Sequence, residues 1–216
     1  SNPLLLSMFI ITYQSDSNIP QKRSDYYNQV FNTLYSVHDT SSKLGFVREK
    51  KTGLLKENFI DLLKRFSFKS FFSQNYTFSE EYFNTEIQSI KKDLDLTFSN
   101  DDLLFDLEVS IGILTQEGID ITYPHRSLQE YFAALFVTKL TYENKLKVYH
   151  YLYNQFNNML NHRYVQSDNV NFYSLLGEMD KISFYKRLII PILESIKQKV
   201  SELNNTEDII DTFIAV

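Results

Sequence analysis

"ILTQEGIDITYPHRSLQEYFAA", residues 113–134, passes from a period of two to a helical period within a few residues. Ile113–Gln116 and Ile119–Tyr123 alternate around Glu117-Gly118, which predicts a β-hairpin with its turn at Gly118. Pro124 ends the second strand, because it has no amide hydrogen for a ladder. Ser127-Leu128-Gln129-Glu130 then reads as a capping box. The Ser127 hydroxyl would take a free backbone N–H, and Glu130 would reach back to the cap. Leu128, Phe132 and Leu135 recur at helical spacing and Ala133-Ala134 favour helix, so an amphipathic helix follows. His125 falls in the corner between this small wing and the helix. Such a corner presents free N–H groups and the positive end of a helix dipole, where anions bind. The plain alternative is that His125 makes only a local polar bond.

The rest of the chain is helical in pattern. Its 216 residues suffice for one large or two small domains, and 43% are apolar, enough for a core. Aromatics are abundant, with 18 Phe and 15 Tyr, while five Gly and four Pro are too few for a turn-rich β protein. With no Cys there is no disulfide framework, thiol nucleophile or cysteine zinc site, as expected for a cytoplasmic chain. Net charge is −5 with acids and bases scattered, which is no nucleic-acid footprint. The apolar start "PLLLSMFII" lacks the basic flank of a signal peptide and is too short to span a bilayer.

Periodicity predicts helices over residues 3–14, 24–37, 54–73, 80–94 and from about 100, then the hairpin, then helices at 127–140, 142–160, 170–179 and 182–203. Pro3 suits the first turn of the first helix, whose apolar surface runs nearly all round and calls for burial against more protein. Phe59, Leu62, Leu63, Phe66 and Phe71 mark the buried face of the third. Ser79, and Ser99 or Asn100, precede acid-rich first turns as caps. Pro191 should kink or split the last helix. The polar run 38–53 is the expected internal boundary. The fold class is therefore mainly α: a helical domain at 1–45, a winged-helix domain at 46–140 whose only β-structure is the hairpin wing, and a C-terminal helical module at 141–216.

No catalytic or metal constellation appears. There is no P-loop glycine pattern, HExxH, nucleophile elbow or CxxC. His150 and His162 lack a metal spacing and read as solvated surface. A winged helix raises DNA binding, but the third helix of that domain carries Asp101, Asp102, Asp106 and Glu108 and no Lys or Arg. Acids facing phosphates repel them.

"ITYPHRSLQEYFAALFV" resembles the F-x-H-x-S-x-Q-E-[YF]-F-A-A stretch in the winged-helix part of NACHT-type STAND signalling NTPases, the class of animal NLR and bacterial defence proteins. Tyr123-Pro124 stands in place of the usual aromatic-x. In register at the start, "NPLLLSMFIITYQSDSNIPQKRSDYYNQVFNTLYSVHD" is similar to the segment that follows the nucleotide-binding core. The two matches cover roughly residues 2–140. The resemblance implies that Pro3 packs against adenine and that His125 reaches the β-phosphate of ADP in the closed, resting form. It implies ADP or ATP as cofactor of a longer parent ATPase, whose P-loop and Mg²⁺-binding acids lie before Ser1. This chain alone would then be no enzyme and would hold no nucleotide tightly. Implied partners are its own nucleotide-binding core, and other proteins or further copies on activation, in a setting such as bacterial anti-phage defence; DNA and membrane are not expected. The alternative from another class is a stand-alone helical and winged-helix interaction module.

Overall fold

The computed structural model describes residues 6, 9, 10, 12–14, 20–40, 49–162 and 169–202, with only the backbone at 37–40, 159–162 and 202. Among them the chain is mainly helical with one small antiparallel sheet. Contacts divide it into two compact units, 1–136 and 137–216, and residues on either side of position 45 fall in the first.

In the first unit, α1 (Arg23–Thr40) and α2 (Lys56–Phe72) precede β1 (Thr77–Phe78), α3 (Glu80–Leu94), and α4 (Asn100–Phe105), which runs on as a π turn over Asp106–Ser110. β2 (Thr115–Glu117), β3 (Asp120–Thr122) and α5 (Arg126–Lys139), all but its last three residues in this unit, follow. This helix–strand–helix–helix–hairpin order is that of a winged helix. Phe59, Leu62, Leu63, Phe66 and Phe71 are buried on α2, as their spacing predicts. Ser79 caps α3 by accepting the Tyr82 N–H at 3.1 Å. Phe66 meets Phe78 edge-on at 4.9 Å and Phe83 at 5.5 Å, while Phe31 on α1 meets Phe132 on α5 at 5.5 Å. Edge-to-face ring pairs of this kind fill the core where a chain has no Trp.

The hairpin is not the only β-structure. β1 pairs antiparallel with β3, Phe78 opposite Ile121, and the sheet order is β1-β3-β2. The third strand escapes periodicity because two residues cannot alternate. Thr115 pairs with Thr122 and Glu117 with Asp120, so the loop is Gly118-Ile119, with Gly118 at φ +68° where a side chain would be strained.

The Asp106 carboxylate does not face outward, contrary to the reading of the third helix as uniformly acidic on its surface. It is fully buried and accepts the Lys51 N–H at 2.8 Å, the Thr52 N–H at 2.9 Å, and the Thr52 and Ser110 hydroxyls at 2.7 and 3.1 Å. It ties the turn before α2 to the third helix of the winged-helix order. The charge left outside is still acidic: Asp101 is exposed, Asp102 and Glu108 are half-buried, and no Lys or Arg lies between Lys92 and Arg126. Fluorescence anisotropy with a labelled duplex should accordingly show no salt-dependent association. Micromolar binding at physiological salt, lost on substituting 100–110, would restore a DNA-binding role.

The second unit holds α6 (Tyr142–His162), α7 (Val170–Met179), α8 (Lys181–Phe184), a π turn over Tyr185–Ile189, and α9 (Ile190–Glu202). Asp180 joins α6 to α8: its carboxylate accepts from the Tyr149 hydroxyl and the Ser183 hydroxyl and pairs with Lys145 at 3.0 Å. The last helix is not split at Pro191: it runs without interruption from Lys181 to Glu202, with a π turn just before the proline. Proline gives no N–H to the Arg187 carbonyl, and the turn before it widens so that Ile190 N–H bonds to the Tyr185 carbonyl. The widening also keeps Phe184, Leu188, Ile192 and Ile196, spaced by four, on one buried face. No described helix is long and apolar enough to cross a membrane.

Candidate anion-binding corner at His125

The corner is assembled from the end of β3 and the start of α5. Tyr123 is buried, its hydroxyl 2.7 Å from the Ser67 hydroxyl, and burial pushes the phenol far above its ordinary pKa. That bond fixes the chain direction just before Pro124. The helix begins at Arg126, earlier than the capping-box reading placed it, so His125 itself is the cap. Its carbonyl accepts the Leu128 N–H at 3.0 Å and its ring Nδ1 accepts the Ser127 N–H at 3.1 Å. The Ser127 hydroxyl lies 2.6 Å from the same nitrogen. A side-chain acceptor on the second helical N–H is the cap interaction usually made by Ser, Thr, Asp or Asn.

The capping box does not form. Ser127 lies inside the first turn, and Glu130 turns to Arg126, 3.4 Å from its Nε. Arg126 also stacks over Tyr76, 4.0 Å from the ring centroid, and donates to the Tyr76 hydroxyl at 3.0 Å. Gln129, which carried no expectation, is almost fully buried; its amide donates to the Ser70 hydroxyl at 2.8 Å and to the Asn75 carbonyl at 2.9 Å. The only hint of this role in the sequence is a polar side chain on the apolar face of an amphipathic helix. Two of the helix-end N–H groups expected to be free, those of Ser127 and Leu128, are thus satisfied internally.

The bond from the Ser127 N–H assigns the tautomer of the ring. Because a backbone N–H donates to Nδ1, Nδ1 carries no proton, and the neutral imidazole holds its hydrogen on Nε2. Nε2 makes no hydrogen bond among the described residues. The ring is half-buried, and desolvation lowers its pKa below the ordinary 6.5. Protonating Nδ1 would replace the cap acceptor with a donor. A depressed folded pKa means that the unfolded chain binds the proton first. The cap therefore contributes fully above about pH 6.5 and is lost as pH falls from there through the lower folded value. Urea unfolding should show wild-type stability dropping across that window more than His125→Asn, which caps without titrating. Parallel pH profiles for the two would show that the ring is not held neutral by the fold.

Pro3, the other residue expected at a nucleotide site, lies outside the described residues. His150 is exposed and hydrogen-bonded to Asn154, and the His162 side chain is outside the described set. Among the described residues, no group of three or more His, Cys, Asp or Glu is placed to hold a metal ion. No protein-family model matches this chain, and no curated protein matches it.

Proposed function

We propose that this chain is the regulatory C-terminal part of a NACHT-type STAND signalling NTPase, in which His125 helps to hold ADP in the resting state. The observation that carries the reading is the orientation of one imidazole. His125 is locked as the Nε2–H tautomer at the start of a 14-residue helix, with that N–H unclaimed among the described residues. A neutral ring with a fixed outward donor suits a phosphate oxygen, and the helix dipole adds to it. ADP would bridge this corner to a nucleotide-binding core and favour the closed arrangement by its differential affinity. Exchange for ATP, or a trigger, would release it toward other proteins or further copies. A bacterial defence setting fits the resemblance.

A second reading draws on the same corner. The polar side chains from His125 to Glu130 all have structural work within the fold, which a stand-alone interaction module would equally need. The two readings part on the reading frame before Ser1. The signalling NTPase requires a G-x-x-x-x-G-K-[ST] loop there, with acids for Mg²⁺, and a frame without one overturns it. The isolated chain should show no ATP turnover, since nothing in its sequence cradles a triphosphate. Turnover that survives purification and needs His125 would contradict the assignment.

A further inference from the structure

We propose that the wing tip of one copy docks on the last helix of another, giving head-to-tail self-association of the chain. At the tip, Ile119 is 87% exposed and sits between Glu117 and Asp120. Neither acid forms an ion pair among the described residues. The knob is apolar with an acidic rim. That rim disfavours nucleic acid and anionic lipid, which repel carboxylates.

The second unit carries the matching surface. Ile182, Tyr185, Ile190 and Leu193 are 72%, 48%, 46% and 58% exposed. Regular helical geometry would scatter them. The π turn inserts one residue between Tyr185 and Ile190, so the two occupy adjacent turns of one face, with Ile182 and Leu193 three residues beyond at either end. The opposite side holds the buried Phe184, Leu188 and Ile192, so this stripe is additional to the core face. Lys181, Lys186 and Lys197 are exposed around it and form no ion pair among the described residues. An apolar stripe whose rim carries three exposed lysines against one exposed acid, Glu194, fits an apolar knob with an acidic rim, and one chain supplies both. Because the two surfaces differ, the contact is heterologous. It would give physical form to the self-association in the reading above, yet it stands without any nucleotide, so either can fail alone.

Sedimentation velocity on the 216-residue chain tests it, from about 10 µM to about 1 mM, the range of a small interface. The wild type should gain mass with concentration, less so at about 0.5 M salt, where charge pairs are screened. Ile119→Asp and Leu193→Asp each alter an exposed position and should each shift association at least about tenfold upward in concentration. The milder Ile119→Ser and Leu193→Ser, with circular dichroism as a fold control, should move it the same way. An equal mixture of the two Asp variants should recover a dimer and nothing larger, since one supplies the helix and the other the wing. A monomeric wild type throughout, assembly indifferent to both variants, or a mixture that fails to dimerise would each overturn the proposal. Binding of a monomeric wild type to phosphatidylserine vesicles, lost in Leu193→Asp, would also overturn it by assigning the stripe to a membrane surface.

Discussion

Asp106→Ala should destabilise the first unit by about 3–5 kcal/mol, the cost typical of dismantling a buried charge network. The carboxylate accepts two backbone N–H groups and a hydroxyl from the turn at 51–52, more than fifty residues away in sequence, and a fourth bond from Ser110. Alanine leaves the Lys51 and Thr52 N–H groups without their acceptor. Each orphaned donor costs about 1–3 kcal/mol when water cannot replace the lost partner. Asp106→Asn should cost less, because one oxygen remains, yet its amide would turn a donor toward one of those N–H groups. Chemical denaturation gives the size of the loss, and amide exchange locates it: Lys51 and Thr52 should lose protection before the α2 core does. A loss under about 1 kcal/mol for the alanine variant would mean that the turn is held by other contacts.

This residue also shows where reading a sequence for function goes astray. Asp106 counts toward the acidic surface of the third helix only if every acid on a helix faces water. The spacing Asp106–Ser110 and the Lys51-Thr52-Gly53 turn hold the counter-evidence, but pairing them requires the fold. His125 is a related case. Ser127 and Glu130 match a capping-box pattern, and cap preferences rank Ser above His. The helix nevertheless begins two residues before Leu128 because the imidazole reaches the Ser127 N–H. By contrast, the α2 face, the Ser79 cap and the turn at Gly118 were legible, since each depends on neighbours within a turn or two; Pro191 marked a disturbance of the helix, but its form, a π turn in an unbroken helix, was not. β1 was not, because its partner is β3 and its own two residues carry no period. The exposed stripe over Ile182–Leu193 was hidden for a different reason: a π turn shifts the phase of the helix, and α-helical spacing alone does not anticipate it.

His125 caps α5 through Nδ1, and in the proposed function it also offers Nε2–H to a phosphate. Alanine at 125 would remove both together. Asparagine separates them, since its side-chain oxygen is among the best caps while its amide falls short of the imidazole's outward reach. Ser127→Ala is the companion control; it removes the hydroxyl beside Nδ1 but leaves the backbone N–H that fixes the tautomer. A hydrogen bond to an ionised phosphate contributes about 1.5–3 kcal/mol, which corresponds to roughly 10- to 100-fold in affinity. The measurement is ADP retention by a chain that includes the proposed nucleotide-binding core, compared for the wild type, His125→Asn and Ser127→Ala at matched folded fraction. His125→Asn should keep stability within about 0.5 kcal/mol, release ADP about 10- to 100-fold more readily and signal without a trigger, while Ser127→Ala should hold ADP nearly as the wild type does. Retention by His125→Asn equal to that of the wild type would contradict the proposed function and leave His125 as a helix cap alone.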